Sequence, residues 1–243
     1  KFLKIASDFR RIFSENLKRF IAFCKSNNNR IQVMKIMSTN IAEPTRINWR
    51  GRSVWTGIYK KPVTHPLFLG MEGVQSDAVV DTKHHGGIYM ACYLFGSDYY
   101  DDWKEKYPHL EWNWGMFGEN LTVSGLRETE IEMGTTYSVG TAVVQITEPR
   151  QPCYKLGIRF GSQQVIPEFL KYGHPGTYLK IVEEGHVTVG DTFQLLEKAN
   201  NSLTVAQFNT LVNQKEKDRD LLQLAIENDG VKPKNKKKWM KYV

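Results

Sequence analysis

Cys153 stands in the run Glu148-Pro149-Arg150-Gln151-Pro152-Cys153-Tyr154-Lys155-Leu156. The two prolines deny backbone donors and hold φ near about −65°, so regular strand pairing stops there. A cysteine just past such a break can be held at the mouth of a cavity. Arg150 and Lys155 flank it, and positive charge favours thiolate, the form that ligates soft metals or attacks as a nucleophile. The competing reading is an ordinary buried cysteine. Cys92, inside an Ala-Cys-Tyr-Leu-Phe run, is expected in the core, and Cys24 has no comparable surroundings.

Two further segments carry candidate chemistry. In Lys83-His84-His85-Gly86-Gly87, adjacent histidines on a strand would face opposite ways and rarely share a metal. The glycine pair lets backbone approach a ligand closely and offers N–H groups to an anion such as a phosphate or pterin. A tight turn with surface histidines is the alternative. In Phe117-Gly118-Glu119-Asn120-Leu121-Thr122, the polar pair Glu119 and Asn120 opens an apolar strand and can hydrogen-bond a ligand or serve turn chemistry. Trp103, Tyr107, Trp112, Trp114 and Phe117 either line a pocket or pack together. The phosphate-loop, dinucleotide-fold, zinc-protease and serine-hydrolase signatures are missing, so those readings have no sequence warrant.

Elements that position these residues are predicted from pattern. Short β-prone runs occur at Ser53–Tyr59, Ala91–Leu94, Asn120–Val123, Thr136–Thr147, Tyr178–Val182 and Thr192–Leu196, with glycine-containing turns between them. Such a pattern favours a mainly β fold, a barrel or sandwich. Ser97 is expected to cap a helix over Asp98–Lys106, and a second helix is expected over Gln163–Tyr172, stopped by Gly173. Three parts are expected: a helical extension and linker at 1–33, a β-barrel-like domain at 34–200, and a small helical C-terminal domain at 201–243. Residues 2–21 carry one apolar stripe at helical spacing, read as an extension outside the fold, a helix on an anionic membrane surface, or a helix packed on the core or a partner.

The net charge of +7 is unevenly spread: residues 1–33 carry +6, residues 201–243 carry +4, and the remainder −3. A basic nucleic-acid-binding core is therefore not expected. Three scattered cysteines build no disulfide framework and no CxxC zinc site, which suits a reducing compartment. No run is long and apolar enough for a membrane span, and no signal peptide is recognisable, so a cytoplasmic location is expected.

Taken together, His85-Gly86-Gly87, Gly115-Met116-Phe117-Gly118-Glu119-Asn120-Leu121-Thr122 and Pro149-Arg150-Gln151-Pro152-Cys153-Tyr154-Lys155-Leu156 resemble the MOSC family, named for the C-terminal domain of molybdenum-cofactor sulfurases. The likeness is to the bacterial stand-alone members with a C-terminal three-helix domain, and it covers roughly residues 34–240. The resemblance implies a β-barrel-like fold around a molybdenum–molybdopterin cofactor, with Cys153 as protein ligand to the metal. It implies an oxidoreductase acting on N-hydroxylated small molecules with electrons from a partner reductase. Cofactor contacts would come from His85, Gly86, Gly87, Glu119, Asn120, Arg150 and Lys155. Pyridoxal phosphate is not expected, and a homodimer stays open. The alternative is a non-redox carrier of sulfur, as a Cys153 persulfide, or of the cofactor itself; a nucleic-acid or membrane role for the basic ends is the third reading. One departure stands out: where the family places an Asp and a basic residue shortly after the glycine pair, this chain has Tyr89 and Met90.

Overall fold

The structure is a computed structural model that describes residues 33–80 and 86–243. The expectations placed on residues 1–32, and on His84 and His85, lie outside the described residues. Met34–Val243 form one compact unit.

Alternation of apolar and polar residues sets the strands on a common core. The chain lays down β1 (Lys35–Ile41), β2 (Thr45–Trp49), β3 (Arg52–Thr56), β4 (Lys61–Val63), β5 (Leu67–Gly70) and β6 (Gly73–Val74). Then come β7 (Cys92–Gly96), β8 (Leu121–Ser124), β9 (Thr136–Val139), β10 (Ala142–Pro149), β11 (Thr177–Glu183), β12 (Gly185–Val187) and β13 (Gln194–Glu197). The largest sheet has the order β13-β9-β10-β11-β7-β8-β1-β4. Its pairings are antiparallel except β7 against β8, where Leu94 lies opposite Leu121. The barrel is not closed by a continuous ladder. Its ends are drawn together by Ile36 N–H donating to the Asp191 carbonyl, Gly190 N–H to Ile36 and Phe193 N–H to Met34, each at 2.9 Å. The mainly β, barrel-like class expected from the pattern is thus observed.

Every residue of β7 is buried because both its faces are covered. Cys92 and Leu94 point into a core shared with Ile36, Leu121, Val144, Ile146 and Leu179. Tyr93 and Phe95 point the other way, into a second cluster with Trp103, Phe117, Phe160 and Phe169. A strand covered on both sides reads as an unbroken apolar run, which is why Ala91–Leu94 shows no alternation. The aromatic group suspected of lining a pocket packs in this second cluster instead.

Helices fill the ends: α1 (Tyr100–Lys106), α2 (Tyr154–Arg159), α3 (Val165–Tyr172), α4 (Val205–Asn213), α5 (Arg219–Glu227) and α6 (Pro233–Trp239). Ser97 does not cap α1; residues 97–99 form a single 3-10 turn and Tyr99 takes the cap position with no side-chain bond. Gly173 ends α3 in the left-handed region. The β-prone run Thr136–Thr147 divides into the hairpin β9–β10. The C-terminal helices start from sequence-encoded caps: Thr204 and Gln207 make a reciprocal capping box, and Asp218 accepts from Leu221 N–H. Their apolar faces, including Phe208, Leu211, Leu222 and Trp239, share the core of the large sheet. No helix among the described residues is long and apolar enough to cross a membrane.

Candidate functional site

β10 ends at Pro149, and the chain then turns through Arg150–Pro152 into α2. Cys153 occupies the residue before the first turn of that helix, in extended conformation, and its carbonyl accepts from Leu156 N–H at 2.9 Å. Its thiol is free and half-buried. The proline break therefore does what the pattern required of it and presents the sulfur at a cavity rather than in a ladder.

The space between the walls of that cavity is about 650 Å³, which includes open solvent at its mouth. Cys153, Arg150, Lys155 and Asn120 all line it, so four of the residues singled out by type and spacing meet in one place. Gly86 and Gly87 are not among its lining residues; Gly87 has φ 90° and precedes a 3-10 turn over Ile88–Met90. That turn separates the two departing residues. Met90 faces the cavity, whereas Tyr89 lies under Lys180, whose Nζ sits 5.7 Å from the ring centroid.

Glu119 lies behind the wall and is fully buried. Its carboxylate accepts from Gly115 N–H at 2.9 Å, Phe117 N–H at 3.1 Å, the Thr122 hydroxyl at 2.7 Å and the Tyr100 hydroxyl. Burial pushes its carboxyl up, and these donors pull against that. The effect is to fold the Gly115–Gly118 turn around one carboxylate. Gly115, at φ 86°, is pressed so close to the next segment that a Cβ there would lie 2.9 Å from the Lys60 carbonyl oxygen. The turn in turn presents the Phe117 carbonyl to the Arg150 guanidinium.

Arg150 is 5% exposed and lies 5.1 Å from the Tyr93 ring centroid and 5.8 Å from that of Phe169. Burial lowers its proton affinity, but Tyr93, Tyr178 and Cys153 more than offset this, so the guanidinium stays charged. Tyr178, which also lines the cavity, has its hydroxyl pushed up to about 12, by burial first, with Arg150 opposing and Cys153 adding.

Two lining residues had no signal in the sequence. Lys60 and Asp77, whose side chains are both buried, form an ion pair in the cavity wall. Asp77 also accepts from Ala42 N–H at 2.9 Å and from Asn120 Nδ2 at 2.9 Å. Asn120 donates further to the Asn40 carbonyl at 3.3 Å, and its Oδ1 accepts from Tyr93 N–H at 3.2 Å. Asn120 therefore ties the loop bearing Asp77 to β1 and β7. Cys92 lies nearby in the core, its thiol pushed well up by burial and by Asp77, with Lys60 opposing; it is a packing residue.

The donor set bears on what the cavity suits. Among the described residues, no three His, Cys, Asp or Glu side chains gather to hold a bare ion. Among the described residues, the walls offer a metal the thiol of Cys153 and the thioether of Met90, with the cations Lys60, Arg150 and Lys155 against the carboxylate of Asp77. Such a set suits a metal whose other ligands arrive with an organic anion.

A family model described as the MOSC domain matches residues 81–194. The uncharacterized protein YflK of Bacillus subtilis (strain 168) is 33% identical over 178 residues, covering 73% of this chain and 80% of that protein. A protein named Reductase from Gibberella moniliformis is 30% identical over 151 residues, 61% of this chain but 27% of that protein. The crystal structure of YiiM from Geobacillus stearothermophilus superposes with a TM-score of 0.71 at 27% identity, covering 86% of this chain and 98% of that one.

Proposed function

The chain belongs to the MOSC family, and from that membership we propose that it is a molybdenum-cofactor-dependent oxidoreductase that reduces N-hydroxylated small molecules with electrons from a partner reductase. The observation that carries the reading is the placement of the free Cys153 thiol in a cavity wall that also holds Arg150, Lys155 and Lys60. In this reading Cys153 thiolate ligates the metal, a soft donor for a soft site. Arg150 and Lys155 hold the anionic organic part of the cofactor. Arg150 is fit for this because the Phe117 carbonyl and the Tyr93 ring fix its plane before anything binds.

When bound, the cofactor supplies two-electron redox chemistry, enough to convert N–OH to N–H with two protons and release of water. Lys60 stands in the same wall, held in place by its ion pair with Asp77. Asn120, which lines the cavity, also anchors Asp77. The role of Glu119 is to shape the turn behind Arg150, so it acts on the cofactor through position.

The test is metal and pterin analysis of protein made in cells that synthesise the cofactor. Wild type is expected to carry molybdenum, and Cys153→Ser, which offers a hard protonated hydroxyl, is expected to lose it while Cys92→Ser in a folded chain keeps it. Equal molybdenum in wild type and Cys153→Ser would sink the assignment. A transferable sulfur on Cys153 in a chain without molybdenum would move the function to sulfur carriage.

A further inference from the structure

The hairpin of β2 and β3 forms a sheet of its own, outside the ladders of the other described strands. Arg50 and Gly51 both have positive φ, 52° and 75°, the two-residue turn that matches the twist of a tight hairpin. A lone two-stranded ribbon is marginal in water, so it needs something to lie on. Its inner face supplies that through Trp49, whose ring stacks on Tyr154 with centroids 4.9 Å apart and planes 21° apart. Tyr154 is bonded to Cys153, and Thr56, the last residue of the ribbon, lines the cavity. The ribbon is therefore the rim of the site.

Its outer face is left uncovered. Arg46 pairs across the strands with Trp55, which is 51% exposed, and the Arg46 guanidinium lies 5.9 Å from that ring centroid. Residues 45–56 contain three arginines and no acid, against a net +1 for residues 34–243: Arg46 is on the outer face, Arg50 at the turn lies 5.2 Å from the Trp49 ring centroid, and Arg52 pairs with Trp49 on the inner face. The hairpin is thus a locally basic element of a nearly neutral unit. Exposed tryptophan and arginine are the residues on which protein interfaces concentrate their binding energy.

We propose that this basic, aromatic hairpin is the docking face for an acidic protein electron donor, a reduced flavin or iron–sulfur protein. The inference rests on the reductase reading above and adds where the donor sits. A donor seated on the ribbon is separated from Cys153 by the Trp49–Tyr154 ring stack and one peptide unit. In each turnover the donor is oxidised by two electrons in all. The N–OH substrate takes those electrons with two protons and leaves as N–H and water. Charge complementarity speeds encounter and weakens as salt screens it, with a screening length of about 8 Å at physiological ionic strength.

The experiment titrates the full chain with an acidic flavodoxin as probe, at low and high salt. Wild type is expected to bind in a salt-sensitive way. The triple variant Arg46→Glu/Arg50→Glu/Arg52→Glu is expected to raise Kd at least about tenfold at low salt; if it fails to fold, the neutral Arg→Gln triple is expected to give a smaller rise. Reduction of the loaded chain by reduced flavodoxin should slow in the triple, whereas reduction by methyl viologen radical, which needs no docking face, should not. Wild type that ignores flavodoxin, or an unchanged Kd in the folded triple, overturns the proposal. So does wild type that binds a single-stranded oligonucleotide instead, since stacked aromatics and cations also suit nucleic acid. The titration needs no bound metal, so a chain that lacks molybdenum yet docks flavodoxin through these arginines would refute the function reading and leave the docking face standing.

Discussion

Removing the Glu119 side chain should cost more stability than its single position suggests. In Glu119→Ala, four donors lose their acceptor at once: the N–H groups of Gly115 and Phe117 and the hydroxyls of Thr122 and Tyr100. The hydroxyls can turn toward other acceptors, but the two N–H groups are fixed by the turn. Each buried donor left unsatisfied costs about 1–3 kcal/mol, which gives about 4 kcal/mol for the pair. For a unit of this size about 2–4 °C of melting temperature is lost per kcal/mol, so the fall should be about 8–16 °C. Glu119→Gln keeps one acceptor oxygen and opposes a donor to the Phe117 N–H, so about 1–3 kcal/mol is expected. Urea unfolding with an unchanged slope, checked by thermal melts, measures both. Burial raises the Glu119 carboxyl above its ordinary range, so the folded state holds that proton more tightly than the unfolded chain does. The advantage of wild type over Glu119→Gln should therefore be fullest below the ordinary carboxylate range and shrink as pH rises through the raised value. A Glu119→Ala variant within about 1 kcal/mol of wild type would refute the view that one carboxylate organises this turn.

Breaking the buried pair with Lys60→Met strands the Asp77 carboxylate and should cost about 3–5 kcal/mol in urea unfolding, with Lys60→Met/Asp77→Asn recovering part of it; equal losses in the single and double variants would contradict this. Met90→Lys places a cation in the cavity wall, and a charge-assisted contact worth about 1.5–3 kcal/mol should raise cofactor occupancy. Tyr89→Asp alone should leave occupancy unchanged, because Tyr89 lies under Lys180 and not in the cavity; pterin and molybdenum per chain decide between them. Tyr178 titrates near 10 when unfolded and about 12 when folded, so the stability it lends is complete below pH 10 and lost as pH rises through about 12. Its tyrosinate absorbance should appear together with alkaline unfolding, and appearance well before unfolding would show the side chain to be open to water.

What the sequence by itself determined is whatever a few neighbouring residues encode. Pro149 and Pro152 end a strand wherever it lies, so the exit of the chain at Cys153 was legible, as were the flanking charges. Thr204 with Gln207, and Asp218, announce helix starts in the same local way. Period-two and glycine signals identified most strands of the large sheet, but they joined β9 to β10, passed over β1 and β4, and outside that sheet missed β2, β5, β6 and β12. The strand β1 carries Ser38, Thr39 and Asn40 buried in succession: Ser38 donates to Asn40 beside it, while Thr39 and Asn40 donate to Val63 and Thr122 of other strands, and no hydropathy pattern reports that. Tertiary structure decided the rest of the site. Lys60 and Asp77 come from loops far from residue 150 in the chain and meet it only because β1, β7 and β8 are adjacent. Glu119 and Asn120 are neighbours of equal polarity, yet one faces the Gly115–Gly118 turn and the other the cavity. Local sequence encodes conformation and sidedness; which side becomes a cavity depends on the element packed against it, and that is settled by contacts between residues many positions apart.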